Sequence, residues 1–106
     1  MPDRAGLCQL WLTCANRVEA DTIAQTLLDK KLVVCIKQTS VDSDYLWEGA
    51  KEHNEEVLLV MDSRSEFFDQ VEKEVAKLHS YETFVLIALP IVKISKAAET
   101  WVNKEI

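Results

Sequence analysis

The chain has 106 residues, 48% of them hydrophobic, with only two glycines and two prolines. That is enough for one packed core over residues 1–106, a single domain, and it leaves no stretch with the composition of a linker or disordered tail. A formal charge of −6, from 18 acidic and 12 basic residues without long blocks of either sign, disfavours nucleic acid and anionic membrane surfaces as partners.

Other exclusions follow from local composition. Residues 1–6 lack the apolar segment of a signal peptide, and no apolar run approaches membrane-spanning length, so a cytoplasmic protein is expected. Cys8, Cys14 and Cys35 fit no C-x-x-C pattern and leave an odd count. On one strand, Cys8 and Cys14 would lie about 20 Å apart, too far to bridge. Reduced thiols in a core are the expectation.

In chain order, residues 7–14 alternate, with Cys8, Leu10, Leu12 and Cys14 on one face, and predict a first strand. Asn16 followed by Glu19 reads as a helix cap, and Ala20, Ile23, Ala24, Leu27 and Leu28 trace the stripe of a first helix ending near Lys30 and Lys31. Two apolar runs, 32–36 and 57–61, flank the only internal glycine, Gly49. They predict a long hairpin whose outer half, about residues 39–56, projects beyond the core of one small domain. Ser63 with Glu66 resembles a second capping box, leading into a helix with Phe67, Phe68, Val71, Val75 and Leu78 on one stripe. Residues 84–89 form an uninterrupted apolar run closed by Pro90 and predict a fourth strand, buried on both faces. Ile94, Ala98, Trp101 and Val102 then trace a short helix with Ser95 as its cap.

The order β-α-β-β-α-β predicts an α+β, ferredoxin-like sandwich with an added C-terminal helix and a long β2-β3 hairpin. The helices cover one sheet face. Three strands that are apolar on both sides leave the other face broadly apolar, which predicts a homo-oligomer with the hairpin reaching a neighbouring subunit.

The polar quartet His79-Ser80-Tyr81-Glu82, at the mouth of the fourth strand, is the candidate site. Cys14, His79 and Glu82 offer a thiol, an imidazole and a carboxylate, donors suited to copper or zinc. The alternative is a buried thiol at a strand end and a histidine closing a helix. Tyr45, Trp47 and Tyr81 either wall an inter-subunit pocket or anchor the subunit contact. Gly49 is the turn residue that needs a positive φ. Trp11 and Trp101 read as core or interface packing.

Three ordered stretches carry a family resemblance: Thr13-Cys14-Ala15-Asn16 with Lys31-Leu32-Val33-Val34-Cys35, then Tyr45-Leu46-Trp47-Glu48-Gly49, then residues 79–83 through Leu89-Pro90. Together they resemble the CutA divalent-cation-tolerance family over nearly the whole chain. The resemblance implies a cytoplasmic homotrimer with hairpins pairing across subunits, linked to tolerance of copper and other divalent cations. It also implies a likeness to the trimeric PII signalling proteins, which bind small ligands at subunit clefts. Four positions depart from the family pattern: Ala15 and Ser80 replace prolines, and Phe84-Val85 replaces Pro-Glu. Val85 thus stands where the family has a carboxylate proposed as a copper ligand.

Enzymatic readings lack parts. Asn16-Arg17 after the first strand is reminiscent of acylphosphatases, but the glycine-bearing phosphate cradle is missing. Cys14 with His79 as a thiol nucleophile has no visible orienting group or oxyanion donor. The expectation is a non-enzymatic trimer with inter-subunit clefts near His79, Tyr81 and Glu82 that bind a metal or small ligand. A structural or adaptor trimer presenting a surface to an unknown protein partner is the alternative.

Overall fold

The computed structural model describes residues 6–106. Residues 1–5, which entered the reading of the N-terminus, lie outside the described residues. Strand β1 (Leu7–Cys14) alternates as its sequence requires, with Cys8, Leu10, Leu12 and Cys14 all buried against the helices. Helix α1 (Arg17–Asp29) starts at Asn16, whose side-chain oxygen accepts the Glu19 N–H at 2.9 Å, and buries Ala20, Ile23, Ala24 and Leu27. It closes in a Schellman turn: Lys31 adopts φ 56°, its N–H donates to Leu28 O, and the Leu32 N–H donates to Leu27 O.

Strands β2 (Val33–Trp47) and β3 (Ala50–Arg64) form the long hairpin, paired from Val33↔Ser63 out to Trp47↔Ala50, with a bulge between Val33 and Cys35. Glu48 and Gly49 connect them with φ 50° and 81°, the positive pair of a two-residue type I′ turn. The ribbon's outer half is mostly exposed and stretches the subunit to 44 × 26 × 23 Å. Its Cα radius of gyration is 14.5 Å, against about 13 Å for a compact chain of this length.

A 3-10 turn (Ser65–Phe67) leads into α2 (Phe68–Leu78), which buries Val71 and Val75. Strand β4 (Leu86–Pro90) pairs with β1, and α3 (Lys96–Glu105) follows. The sheet order is β2-β3-β1-β4, antiparallel throughout, as the ferredoxin-like reading requires. Leu10, Leu12, Leu59 and Met61 from the sheet meet Ile23, Leu27, Val71 and Val75 from the helices in one core.

Two local expectations are corrected. Ser63 is no helix cap: it is a buried residue of β3, and its hydroxyl donates to Leu32 O at 2.6 Å, tying the start of the hairpin to its end. The α2 boundary has no side-chain cap. The fourth strand begins at Leu86, not Phe84, and lies at a sheet edge with Ile87 and Leu89 exposed in the single subunit. An edge strand has a neighbour on one side only, so an apolar run there is not covered by its own chain.

Trp11 pairs with Val60 on one side and Ile87 on the other. Directly paired residues share a sheet face, so this trio lies opposite the helices on an apolar open face. Trp11 is half-buried there, while Trp101 is exposed on α3, where Val102 is the buried residue.

Candidate metal centre

The end of β1, the start of α1 and the end of α2 converge because the strand and both helices share the core. Cys14 is the last residue of β1 and points inward with the strand's buried face. Glu19 lies in the first turn of α1, and His79 is the residue that closes α2. One donor atom from each of Cys14, Glu19 and His79 falls within 4.8 Å of the other two.

A hydrogen-bond network holds them. Glu19 accepts the Ala15 N–H at 2.8 Å on Oε2 and the Ser80 N–H at 2.7 Å on Oε1. His79 Nε2 sits 2.8 Å from the Thr13 carbonyl, and Nδ1 accepts the Tyr81 N–H at 3.0 Å and lies 3.6 Å from Glu19 Oε2. A carbonyl only accepts, so the ring hydrogen is assigned to Nε2. The His79 ring, with its side chain fully buried, lies 5.3 Å from the Phe84 ring in a stacked arrangement. Tyr81 turns its phenol to Glu56, donating at 2.8 Å to a carboxylate that is itself buried.

Burial sets the protonation of the cluster. It pushes the Cys14 thiol up to about 12, with the Glu19 and Glu56 carboxylates adding to the shift. Burial also works to raise Glu19, but the Ala15 N–H, the Ser80 side chain and N–H, and nearby His79 outweigh it and hold the carboxyl below its ordinary value. The Tyr81 phenol is raised by burial and then by Glu56. Cys14 is therefore a thiol at neutral pH, a poor nucleophile, and loses its proton to solvent when a cation displaces it from sulfur.

Beside the cluster, a cleft of about 510 Å³ runs between Ala15 and Asn16 on one side and Asp42, Glu55 and Glu56 of the hairpin on the other. Farther out, His53 Nδ1 lies 2.7 Å from Asp44 and Nε2 lies 3.9 Å from Asp42. Tyr45 and Trp47 are exposed along this ribbon, with the Tyr45 hydroxyl bonded to Asn54, and Gly49 occupies the turn.

Of the residues singled out from sequence, Cys14 and His79 meet, and Tyr81 joins them through its N–H. Glu82 is exposed and is not among the donors that cluster with Cys14 and His79. The acid in that position is Glu19, which sequence reasoning assigned to helix capping alone. Its second role had one local signal, an acid five residues past a strand-end cysteine. Glu56 was missed as well; its signal was an acid immediately preceding a buried apolar run.

The family model described as CutA1 divalent ion tolerance protein matches residues 8–105. The divalent-cation tolerance protein CutA of Archaeoglobus fulgidus is 34% identical over 97 residues, covering 92% of this chain and 95% of that one. A CutA homolog of Xenopus laevis is 33% identical over 98 residues, covering 92% of this chain but 65% of its own longer sequence. Among solved structures, the one described as the periplasmic divalent cation tolerance protein CutA from Archaeoglobus fulgidus superposes with a TM-score of 0.91 at 33% identity, covering 93% of this chain and 97% of that one.

Proposed function

The chain belongs to the CutA1 divalent ion tolerance family, and from that premise we propose a non-enzymatic homotrimer that holds a divalent cation, copper or another, at Cys14, Glu19 and His79. The observation that carries this reading is the convergence of three chemically different donors from three elements within 4.8 Å. A thiol, an imidazole and a carboxylate suit copper and zinc, and their burial gives a dry, shaped site. Glu19 supplies the carboxylate that Val85 cannot. Non-enzymatic action is supported by the protonated state of Cys14, which leaves the cluster without a ready nucleophile.

The trimer is supported by the open face around Trp11, Val60 and Ile87 and by the exposed apolar edge strand. A cytoplasmic location is supported by the free thiols of Cys14 and Cys35. No helix among the described residues is long and apolar enough to cross a membrane.

Isothermal calorimetry with zinc(II) and copper(II), run on the parent chain and on Cys14→Ser, tests the site. The expected result is one ion per subunit, with affinity lost in the variant. Binding no tighter than about 10 μM, roughly −7 kcal/mol, removes the metal reading. Sedimentation tests the assembly, and a monodisperse monomer at micromolar concentration overturns it.

One observation favours a second reading. Every buried side-chain nitrogen and oxygen among the described residues has a hydrogen-bond partner without any ion. The cluster then acts as a joint between β1, α1 and α2, in a PII-like adaptor trimer that presents its surface to a partner protein.

A further inference from the structure

His79 has one free lone pair on its ring, and Tyr81 occupies it. Nε2 is committed to the Thr13 carbonyl at 2.8 Å, so Nδ1, 3.6 Å from Glu19 Oε2, is the nitrogen that faces the cluster. That same atom accepts the Tyr81 N–H at 3.0 Å. A carboxylate offers about four acceptor sites, so Glu19 can take a cation while keeping Ala15 and Ser80. An imidazole nitrogen offers one. His79 therefore ligates through Nδ1 only by releasing the Tyr81 N–H.

That release reaches the cleft. The Tyr81 hydroxyl donates to Glu56 at 2.8 Å, and its ring centre lies 5.0 Å from that of His79. Glu56 lines the cleft together with Asp42 and Glu55. Tyr81 thus bridges the two features, with its backbone on His79 and its phenol on Glu56.

We propose that Tyr81 is a metal-dependent latch: it holds the Glu56 carboxylate while its N–H rests on His79 Nδ1, and releases that carboxylate at the cleft wall when His79 ligates a divalent cation. The latch rests on the reading of Cys14, Glu19 and His79 as a metal site. It is an exchange of hydrogen bonds with no covalent step, and it frees the carboxylate of Glu56, already on the cleft wall, only in the loaded state.

The test uses zinc(II) with the full chain, ¹⁵N-labelled, as parent and as Tyr81→Phe. Stoichiometric zinc is expected to speed amide exchange at Tyr81 at least tenfold while leaving Ala15 protected. Tyr81→Phe, which no longer holds Glu56, is expected to bind zinc about tenfold more tightly, the equivalent of one hydrogen bond to a charged group. Glu56→Gln keeps the tyrosine and gives a smaller gain in the same direction, a safeguard should Tyr81→Phe fail to fold. Zinc binding with the Tyr81 amide unchanged and no gain in either variant overturns the latch and leaves the metal site standing. Absence of zinc binding in parent and variants overturns both.

Discussion

Ser80 and Glu19, 61 residues apart in the chain, are joined directly, the Ser80 N–H donating to Glu19 Oε1 at 2.7 Å. With the Ala15 N–H on the other oxygen, this carboxylate staples the turn after α2 to the turn before α1. Glu19→Gln keeps the shape and loses the charge, so it should destabilise the fold by about 1–3 kcal/mol at neutral pH. The folded carboxyl titrates below its ordinary value of 4.5. A lowered folded pKa contributes stability that is complete above the unfolded value and is lost as pH falls through the folded one. Urea unfolding of parent and variant should therefore converge as pH drops below 4.5, and a constant gap at all pH values would contradict the role given to the charge.

Cys14 should be chemically silent. With its thiol pushed up to about 12 by burial first and by Glu19 and Glu56 second, the thiolate fraction at pH 8 is about one in ten thousand. Iodoacetamide should leave the Cys14 peptide unmodified in the native protein and label it fully in denaturant. Rapid native labelling of that peptide would show that the strand end opens to solvent.

His53 is raised by its hydrogen bond to Asp44, then by the Asp44 charge, against slight desolvation, with Asp42 and Glu55 adding to the rise. A raised histidine contributes stability that is present below its unfolded pKa and is lost as pH climbs through the folded one. Its ring resonances should titrate above 6.5 and move back toward that value in Asp44→Asn. The effect on global stability should be slight, because both side chains are exposed. Identical titration curves in parent and variant would dismiss the pairing.

The hairpin turn should prefer residues that accept a left-handed backbone. A Cβ on Gly49 meets nothing within 4 Å, so the cost of Gly49→Ala comes from φ 81° alone, about 1 kcal/mol. Glu48 already adopts φ 50°, so Glu48→Asn should stabilise by a few tenths of a kcal/mol. Denaturation midpoints of the two variants, moving in opposite directions, check both statements.

What could be read without coordinates was local. Asn16 and Glu19 announce a helix start by their spacing, residues 7–14 alternate, and Gly49 between two apolar runs marks a hairpin; each signal lies within a few residues. Ser63 misled because a serine three residues before an acid looks the same at a helix cap and at a strand end. The pattern does not say where the hydroxyl points, and it points to Leu32. Residues 84–89 misled because an apolar run does not reveal how many neighbours its strand has. In the single subunit β4 has one, β1.

The site divides in the same way. Cys14, His79 and Tyr81 were legible by residue type and by family resemblance, and Glu19 was legible as a cap. Sequence by itself determined the order of elements, the buried stripes and the open apolar face, because these follow from periodicities of two and of 3.6 residues. Only the tertiary structure decided that Glu19, rather than Glu82, stands beside Cys14 and His79, and that Tyr81 reaches Glu56. Those contacts join residues far apart in the chain, and packing of β1, α1, α2 and the hairpin around one core is what brings them within hydrogen-bond reach.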